Sequence, residues 1–119
     1  MTEGTKDPDC LFCKIVAGDI DADVVHESDT TVAFRDLNPQ APTHVLVIPR
    51  SHYADAASLA AGEPGTAVDL LGAAAAIAEQ DGLGEGYRLV FNTGALANQT
   101  VFHAHLHVLG GRAMTWPPG

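Results

Sequence analysis

The sequence predicts an α+β fold in which helices pack on a mostly antiparallel sheet. Three observations indicate this fold: a continuous apolar, β-branched run at residues 43–49, an alanine-rich helical pattern at residues 66–80, and two more strand-like segments at residues 86–94 and 102–111. The chain of 119 residues is long enough to bury one core without disulfides. We therefore expect a single domain with one main site.

The ends and the charge of the chain narrow its location and its partners. Residues 1–9 are polar and acidic and are expected to form a disordered tail, so the domain comprises residues 10–119, including a C-terminal tail at 113–119. The start lacks a secretory signal, and no apolar run is long enough to cross a bilayer, which favours a cytoplasmic protein without membrane partners. A formal net charge of −9 disfavours nucleic-acid partners but is compatible with one small phosphate ligand.

The first part of the chain predicts a short helix followed by a hairpin. Residues 10–18 have helical apolar spacing and end in Gly18, a typical C-terminal stop. VVHES and TVAFRD, with turn-prone Ser28 and Asp29 between them, have the β-branched and aromatic residues of two paired strands. Asn38–Pro42 is expected to be a rigid loop because its two prolines restrict the backbone.

The middle of the chain predicts the centre of the sheet and a covering helix. Thr43–Pro49 is nearly all apolar, as expected of a central strand that is covered on both faces. The helix is expected to begin with Thr66 as its N-cap and to end before Gly82. Its alanine-rich surface carries two apolar stripes, one for the sheet and one for a partner subunit.

Half of the six histidines lie in one short segment, HAHLHV. Alternate residues of a strand face the same side, so His103, His105 and His107 are expected to form a polar row. Three neighbouring imidazoles would repel one another if charged and compete for partners if buried, which favours a functional face. Two roles fit the row: a catalytic zinc site completed by another histidine, or a middle imidazole that attacks phosphorus directly.

Three motifs make the chain similar to a known family. PQAPTHVLVIPRSH, HAHLHVLGGR and the terminal MTWPPG resemble the histidine triad nucleotide-binding proteins, the HINT branch, in family order and over nearly all of residues 10–119. The resemblance implies a HIT-like fold with a five-stranded, mainly antiparallel sheet and two helices. It also implies a homodimer with a continuous ten-stranded sheet.

The same resemblance implies a nucleotidyl hydrolase of the nucleoside phosphoramidase type. Such an enzyme cleaves a purine nucleoside phosphoramidate or an acyl-nucleotide to a nucleoside monophosphate, through a covalent nucleotidyl-histidine and without a catalytic metal. Two alternatives stay open: a dinucleoside polyphosphate hydrolase of the same superfamily, or a nucleotide-binding regulatory protein with vestigial activity. A metallohydrolase with histidine ligands ranks lowest.

The resemblance further assigns roles to individual residues. His105 would be the nucleophile, His107 would hold a phosphate oxygen, and His44 would assist from the adjacent strand. Asp36 would accept the ribose hydroxyls, since one carboxylate can accept two donors. The remaining implied nucleotide contacts are Phe12, Phe34 and Leu37 around the base, Asn92, Asn98 and Gln99 near the phosphate or leaving group, and Trp116 at the partner's site.

The chain departs from the branch pattern at two positions. Thr100 stands where serine is usual and would still donate a proton to the leaving amine, but its added methyl group stiffens the side chain. Asn98 stands where glycine is usual. The first difference is expected to alter the rate at which the leaving group is protonated.

Two cysteines suggest a structural metal. Cys10 and Cys13 lie one helical turn apart in a chain without signs of export, which disfavours a structural disulfide. Two thiolates need two more ligands for tetrahedral zinc, and His52 and His103 are the candidates, a set that some relatives with this motif use. The alternative is two buried free thiols. A zinc ion there would stabilise the fold without touching phosphorus.

Overall fold

The first element of the described chain is a short helix, as the sequence predicts. The structure, a computed structural model, describes residues 6–119, and the part of the predicted tail at residues 1–5 lies outside the described residues. Just before the helix, the Cys10 N–H donates to the Asp7 carbonyl (3.1 Å), so the end of the predicted tail joins the domain. Helix α1 (Leu11–Ala17) ends at Gly18, whose φ of +82° is left-handed.

A β-hairpin follows α1, also as predicted. Strands β1 (Val24–Glu27) and β2 (Thr31–Arg35) pair antiparallel. The hydroxyl of Ser28 accepts the N–H groups of Thr30 and Thr31. This serine therefore closes the turn that returns the chain to the sheet.

Three more strands complete the sheet: β3 (Thr43–Pro49), β4 (Tyr87–Val90) and β5 (Leu106–Gly110). The strand order is β1-β2-β3-β5-β4, and every neighbouring pair is antiparallel. All residues of β3 are buried, which confirms the central strand predicted from the continuous apolar run.

Strand β5 begins later than the sequence predicts. His103 lies in a bend and His105 just precedes the strand, so of the three histidines only His107 belongs to β5. The expectation that all three share one strand is therefore wrong. The reason is that the N–H of Ala104 donates to the carbonyl of Tyr53 (2.7 Å) rather than to a neighbouring strand.

Two helices lie between β3 and β4 in the chain. Helix α2 (Ala56–Gly62), which the sequence analysis does not predict, begins at a capping box with Asp55. Helix α3 (Pro64–Gln80) begins before Thr66, because its leading proline suits the first turn. Thr66 is therefore not the N-cap, and its hydroxyl donates to the Glu63 carboxylate (2.9 Å).

Each face of the sheet carries its own apolar core. On one face α3 packs with side chains such as Leu70 and Ile77 against alternate residues of the strands, including Val45 and Val47. On the other face α1 packs on a smaller cluster that includes Leu46. Because Leu46 pairs with His107 and alternates with Val45, His107 lies on the α1 face, where the site forms.

The α+β fold class is confirmed. The five strands form one antiparallel sheet, and residues 6–119 contain three α-helices rather than two because the segment before α3 forms a helix of its own. Among the described residues, no helix is both long and apolar enough to span a membrane.

Gly111 is expected to tolerate substitution poorly. Its φ is +89°, and an added Cβ would lie 2.9 Å from Cβ of Pro42, whereas Gly18, with a φ of +82°, has nothing within 4 Å. We expect Gly18→Ala to lower the free energy of unfolding by about 1 kcal/mol, and Gly111→Ala by about 1–2 kcal/mol more. Urea denaturation measures both values, and equal losses would contradict the close contact with Pro42.

Candidate active site and metal site

His105 has a fixed imidazole with one unprotonated nitrogen. Its Nδ1 lies 2.7 Å from the carbonyl oxygen of His103, and since a carbonyl only accepts, Nδ1 carries the proton. Phe12 packs edge-on against the ring, with centroids 5.1 Å apart. Burial lowers the pKa of His105, which keeps the ring neutral near pH 7. Nε2 of His105 therefore has a free electron pair and can act as a nucleophile.

A second set of hydrogen bonds orients His44 and His107. The backbone N–H of Gln40 donates to Nδ1 of His44 (3.0 Å), so a neutral His44 ring carries its proton on Nε2. That Nε2–H donates to Nδ1 of His107, 2.9 Å away. His107 then carries its own proton on Nε2. The Gln40 N–H on one side of His44, and the Asp36 carboxylate 3.4 Å from Nε2 on the other, thus determine which nitrogen is the donor in both rings.

Nε2–H of His107 is a buried donor without an acceptor. It is the one buried side-chain nitrogen or oxygen that has no hydrogen-bond partner within residues 6–119. The ring of His105 lies beside it, with centroids 5.0 Å apart. Leaving such a donor unpaired costs about 1–3 kcal/mol, so an acceptor from outside the chain, the oxygen of a water or of a ligand, is expected there.

The imidazole cluster is neutral rather than cationic. Burial, together with the neighbouring imidazoles, lowers the pKa of His107 to about 4. Burial also lowers the pKa of His44, although the Asp36 carboxylate, with Oδ2 3.4 Å from Nε2, acts in the opposite direction. A phosphate at this site would therefore be held by hydrogen-bond donors rather than by fixed positive charge.

A cavity of about 210 Å³ shares Phe12 with the histidine cluster, since this ring lines the cavity and packs on His105. Its walls include Phe12, Phe34, Asp36 and Leu37, the four residues predicted to hold the nucleoside. The two phenyl rings meet edge to face, with centroids 5.6 Å apart. Oδ1 of Asp36 accepts the N–H of Asn38 (2.8 Å), which fixes the carboxylate. Apolar walls and a fixed carboxylate thus face the same space.

Helix α1 and the following loop supply walls of this cavity that the sequence analysis does not name. Leu11 and Ile15 line the cavity from α1, and Ile20 lines it from the loop. The helical spacing of Leu11 and Ile15 is a signal in the sequence, but it does not tell a ligand-facing stripe from a core-facing one.

Gln99 and Asn98 shape the loop between β4 and β5. Oε1 of Gln99 accepts the Gly94 N–H, and Nε2 donates to the carbonyls of Ala54 and Val101. Both amide hydrogens are thus in use, so a phosphate contact from Gln99 would require one of these bonds to open. Asn98 has a left-handed backbone (φ +66°), which glycine and asparagine tolerate best. This conformation explains why asparagine replaces glycine there.

Of the remaining predicted contacts, Asn92 follows the end of β4, two residues after Val90, which pairs with His107. Thr100 instead lines a separate cavity of about 320 Å³ together with Cys10 and His52. Trp116, in the C-terminal tail, is 82% exposed.

The predicted metal ligands Cys10, Cys13, His52 and His103 form one cluster, with ligand atoms within 4.8 Å of one another. Sγ of Cys10 lies 3.4 Å from Nδ1 of His103, and Sγ of Cys13 lies 3.5 Å from Nδ1 of His52. The two Nδ1 atoms are 3.2 Å apart. Tetrahedral zinc, with bonds of about 2.3 Å to sulfur and about 2.0 Å to nitrogen, separates its ligand atoms by about 3.3–3.8 Å. The cluster therefore fits zinc in donor type and spacing.

The surroundings of this cluster also suit a metal. Nε2–H of His103 donates to the Pro49 carbonyl (2.9 Å), which leaves the electron pair of Nδ1 directed at the cysteines. Burial lowers the pKa of His103 to about 4, so the ring is unprotonated, as a metal ligand must be. The sulfurs of Cys10 and Cys13 accept the N–H groups of Cys13 and Asp7 at 3.4 Å.

Asp36, His44 and His107 form another cluster of ligand-type atoms within 4.8 Å. Its hydrogen bonds fit a metal poorly, because Nδ1 of His44 accepts the Gln40 N–H and the Nε2 that faces the cluster carries a proton. These three side chains are therefore arranged to hydrogen-bond a ligand rather than to coordinate a cation.

Comparison with known proteins shows the family. A model described as the HIT domain matches residues 17–114. The chain is 44% identical over 117 residues to the 14 kDa zinc-binding protein of Zea mays (95% of this chain, 90% of that protein) and 41% identical over 118 residues to Adenylylsulfatase HINT1 of Arabidopsis thaliana (96% and 79%). A solved HIT family hydrolase from Legionella pneumophila Philadelphia 1 is 50% identical, with a TM-score of 0.89 (93% and 100%). The chain therefore belongs to the HIT domain family, which confirms the resemblance.

Acid is expected to destabilise the fold through His107. Its pKa is lowered from 6.5 to about 4, so between these values the unfolded chain binds more protons, and the free energy of unfolding decreases as the pH falls. Between pH 7.5 and pH 5 this effect should lower the free energy of unfolding by about 2 kcal/mol, and His107→Asn should remove that part of the pH dependence. Urea denaturation at both pH values measures it. An unchanged pH dependence in the variant would contradict a neutral, desolvated His107.

Proposed function

We propose that the protein is a nucleotidyl hydrolase of the nucleoside phosphoramidase type that acts through a covalent nucleotidyl-histidine. The observation that carries the proposal is the placement of an unprotonated Nε2 on His105 beside an unpaired Nε2–H on His107. A nucleophile and an anion-binding donor thus face one small space. This pair suits attack on a phosphorus atom whose non-bridging oxygen accepts the hydrogen bond.

The first chemical step forms a bond from Nε2 of His105 to the α-phosphorus and breaks the bond to the leaving amine or acid. An amine leaves with an added proton, a role that the resemblance assigns to the Thr100 hydroxyl, which here lines the cavity beside Cys10 and His52. Positive charge develops on the His105 ring, and the His103 carbonyl, already the acceptor of Nδ1–H, stabilises that charge. Water then attacks the same phosphorus, the bond from phosphorus to Nε2 of His105 breaks, and one proton of the water restores the hydroxyl that protonated the amine. The nucleoside monophosphate leaves and the imidazole is free again.

Substrate recognition is proposed for the cavity beside the histidines. Its apolar walls suit a flat base, and the Asp36 carboxylate suits the two ribose hydroxyls. We propose a purine base, which agrees with the word adenylylsulfatase in the name of the Arabidopsis thaliana relative. Asn92 and Asn98 are proposed phosphate contacts, whereas Gln99 holds the loop that carries them.

We propose a structural zinc ion at Cys10, Cys13, His52 and His103. The support is the donor set, the spacing of the ligand atoms and the name zinc-binding protein given to the Zea mays relative. Zinc there would supply four bonds that hold the start of α1 against the bend at His103. Catalysis is assigned to His105 and His107, which lie outside this ligand set.

We further propose a homodimer in which the β4 strands of two copies pair, giving a ten-stranded sheet. β4 is an edge strand, and α3 packs mainly on the other four strands, so Tyr87 and Leu89 stay 41% and 38% exposed on the α3 face. Leu71 of α3 is also exposed, at 50%. A second copy would cover these apolar side chains, and its Trp116 would approach the active site of the first copy, as the resemblance implies.

His105→Asn is expected to abolish turnover while preserving nucleotide binding. The substitution removes the nucleophile but leaves the cavity walls, so hydrolysis of adenosine 5′-phosphoramidate should fall at least about a thousandfold. The dissociation constant for the product monophosphate should stay within about threefold. Mass spectrometry of wild-type protein quenched during turnover should show one added nucleoside monophosphate on the His105 peptide.

His26→Asn, outside the cluster, is the matched control and should retain wild-type turnover. Near-normal hydrolysis by His105→Asn would contradict the covalent mechanism. Faster cleavage of dinucleoside polyphosphates than of phosphoramidates would favour a dinucleoside polyphosphate hydrolase. Nucleotide binding without turnover in the wild type would favour a nucleotide-binding regulatory protein.

Removal of zinc is expected to lower stability before it lowers activity. Protein purified with zinc should contain about one ion per chain, and a chelator should lower the Tm by at least about 5 °C, because metal binding is coupled to folding. Turnover measured well below the Tm should persist just after chelation. The double variant Cys10→Ser, Cys13→Ser should show the lowered Tm without chelator. Immediate loss of turnover at an unchanged Tm would contradict a structural role.

A further inference from the structure

The proton positions of His44 and His107 depend on the backbone N–H of Gln40. The N–H of Gln40 is the contact that makes Nδ1 of His44 an acceptor, and it therefore also places the proton of His107 on Nε2. Gln40 lies in the loop between β2 and β3, which the sequence analysis describes only as rigid. A contact that holds this loop in place therefore also keeps Nε2 of His107 a donor.

The chain segment after β5 reaches this loop. Nε of Arg112 donates to the carbonyl oxygen of Gln40 (3.0 Å), and its Nη1 donates to the Ala113 carbonyl (3.0 Å). Gly111, with a φ of +89°, lies so close to Pro42 that no side chain fits between them. Arg112 is thereby placed over the backbone of Gln40.

Among the described hydrogen bonds of Gln40, the one from Arg112 comes from neither the loop between β2 and β3 nor His44. The two other described hydrogen bonds of Gln40 are its N–H to His44 and its side-chain amide to the Asn38 carbonyl (3.0 Å). The Asn38 bond lies within the loop and moves with it. The guanidinium contact therefore anchors Gln40 to the sheet through β5.

We propose that Arg112 is a positioning residue that holds the Gln40 N–H on Nδ1 of His44 and so keeps Nε2 of His107 a hydrogen-bond donor. The proposal rests on the proposed function, because the role of that donor is to bind a phosphate oxygen of the substrate. If the Gln40 N–H moves away, Nδ1 of His44 can take the proton. Its Nε2 then accepts from Nδ1–H of His107, and Nε2 of His107 faces the phosphate with an electron pair.

The test compares Arg112→Met with a matched control, Arg50→Met. Arg50 is half-buried and also donates through Nε to a backbone carbonyl, that of Ser28 (2.9 Å), but in a different turn, where it also pairs with the Glu27 carboxylate (3.2 Å). Both variants keep the aliphatic stem and lose the guanidinium. The readout is the ¹⁵N chemical shifts of the histidine rings in the full-length, zinc-supplemented protein at pH 7.5, which tell protonated from unprotonated ring nitrogens.

The wild type and Arg50→Met should show protonated Nε2 and unprotonated Nδ1 on His44 and His107. In Arg112→Met the Nδ1 shifts of both rings should move towards the protonated value, and kcat should fall about two- to tenfold with KM within about twofold. Arg112→Lys retains a charged donor, so its Nδ1 shifts and kcat should lie between those of the wild type and those of Arg112→Met. A merely structural role of Arg112 would lower the Tm and leave the ring shifts unchanged.

Unchanged ring shifts in a folded Arg112→Met protein would overturn the proposal, whatever its activity. The same shifts separate this outcome from failure of the proposed function. If the wild type does not hydrolyse phosphoramidates but the variant still changes the ring protonation, the positioning role stands and the reaction assignment fails.

Discussion

The hydrogen bond from Nδ1–H of His105 to the carbonyl oxygen of His103 connects the two centres of this protein. The carbonyl determines which nitrogen of His105 is free to react, and the side chain of the same His103 belongs to the metal-type cluster. The His103 ring is fully buried and is held at its far side by the Pro49 carbonyl. Any displacement of this bend would therefore move the unprotonated nitrogen of His105 as well.

Control of tautomers, rather than of charge, is the physical principle of the site. Burial holds the imidazoles of His44, His105 and His107 neutral, so each ring has one donor and one acceptor nitrogen. Backbone groups decide which is which: a carbonyl for His105 and the Gln40 N–H for His44 and His107. The result is an unprotonated Nε2 on His105 beside an unpaired Nε2–H on His107. Such neutral donors matter for anion binding in this chain, because its net charge of −9 does not attract an anion.

Much of the architecture and of the residue set could be predicted because the signals are local. The apolar run of β3, the helical spacing before Gly18 and the two cysteines one turn apart depend on near neighbours in the chain. The predicted start of β5 and the predicted N-cap role of Thr66 were wrong. The hydrogen bonds from Ala104 to Tyr53 and from Thr66 to Glu63 determine these two features, and neither bond can be read from the sequence. Residue types alone do not show which of several possible partners a backbone group or hydroxyl will meet.

By itself the sequence determined the fold class, the cluster of histidines and the four ligand-type residues, since residue chemistry and periodicity suffice for these. Only the tertiary structure decided that His103 lies against the cysteines, while His105 packs on Phe12, a wall of the cavity, and His107 meets His44. It also decided where each proton lies, because that depends on backbone groups such as the Gln40 N–H, which every residue except proline carries. A group common to almost all positions acquires a role only when folding places it against one particular ring.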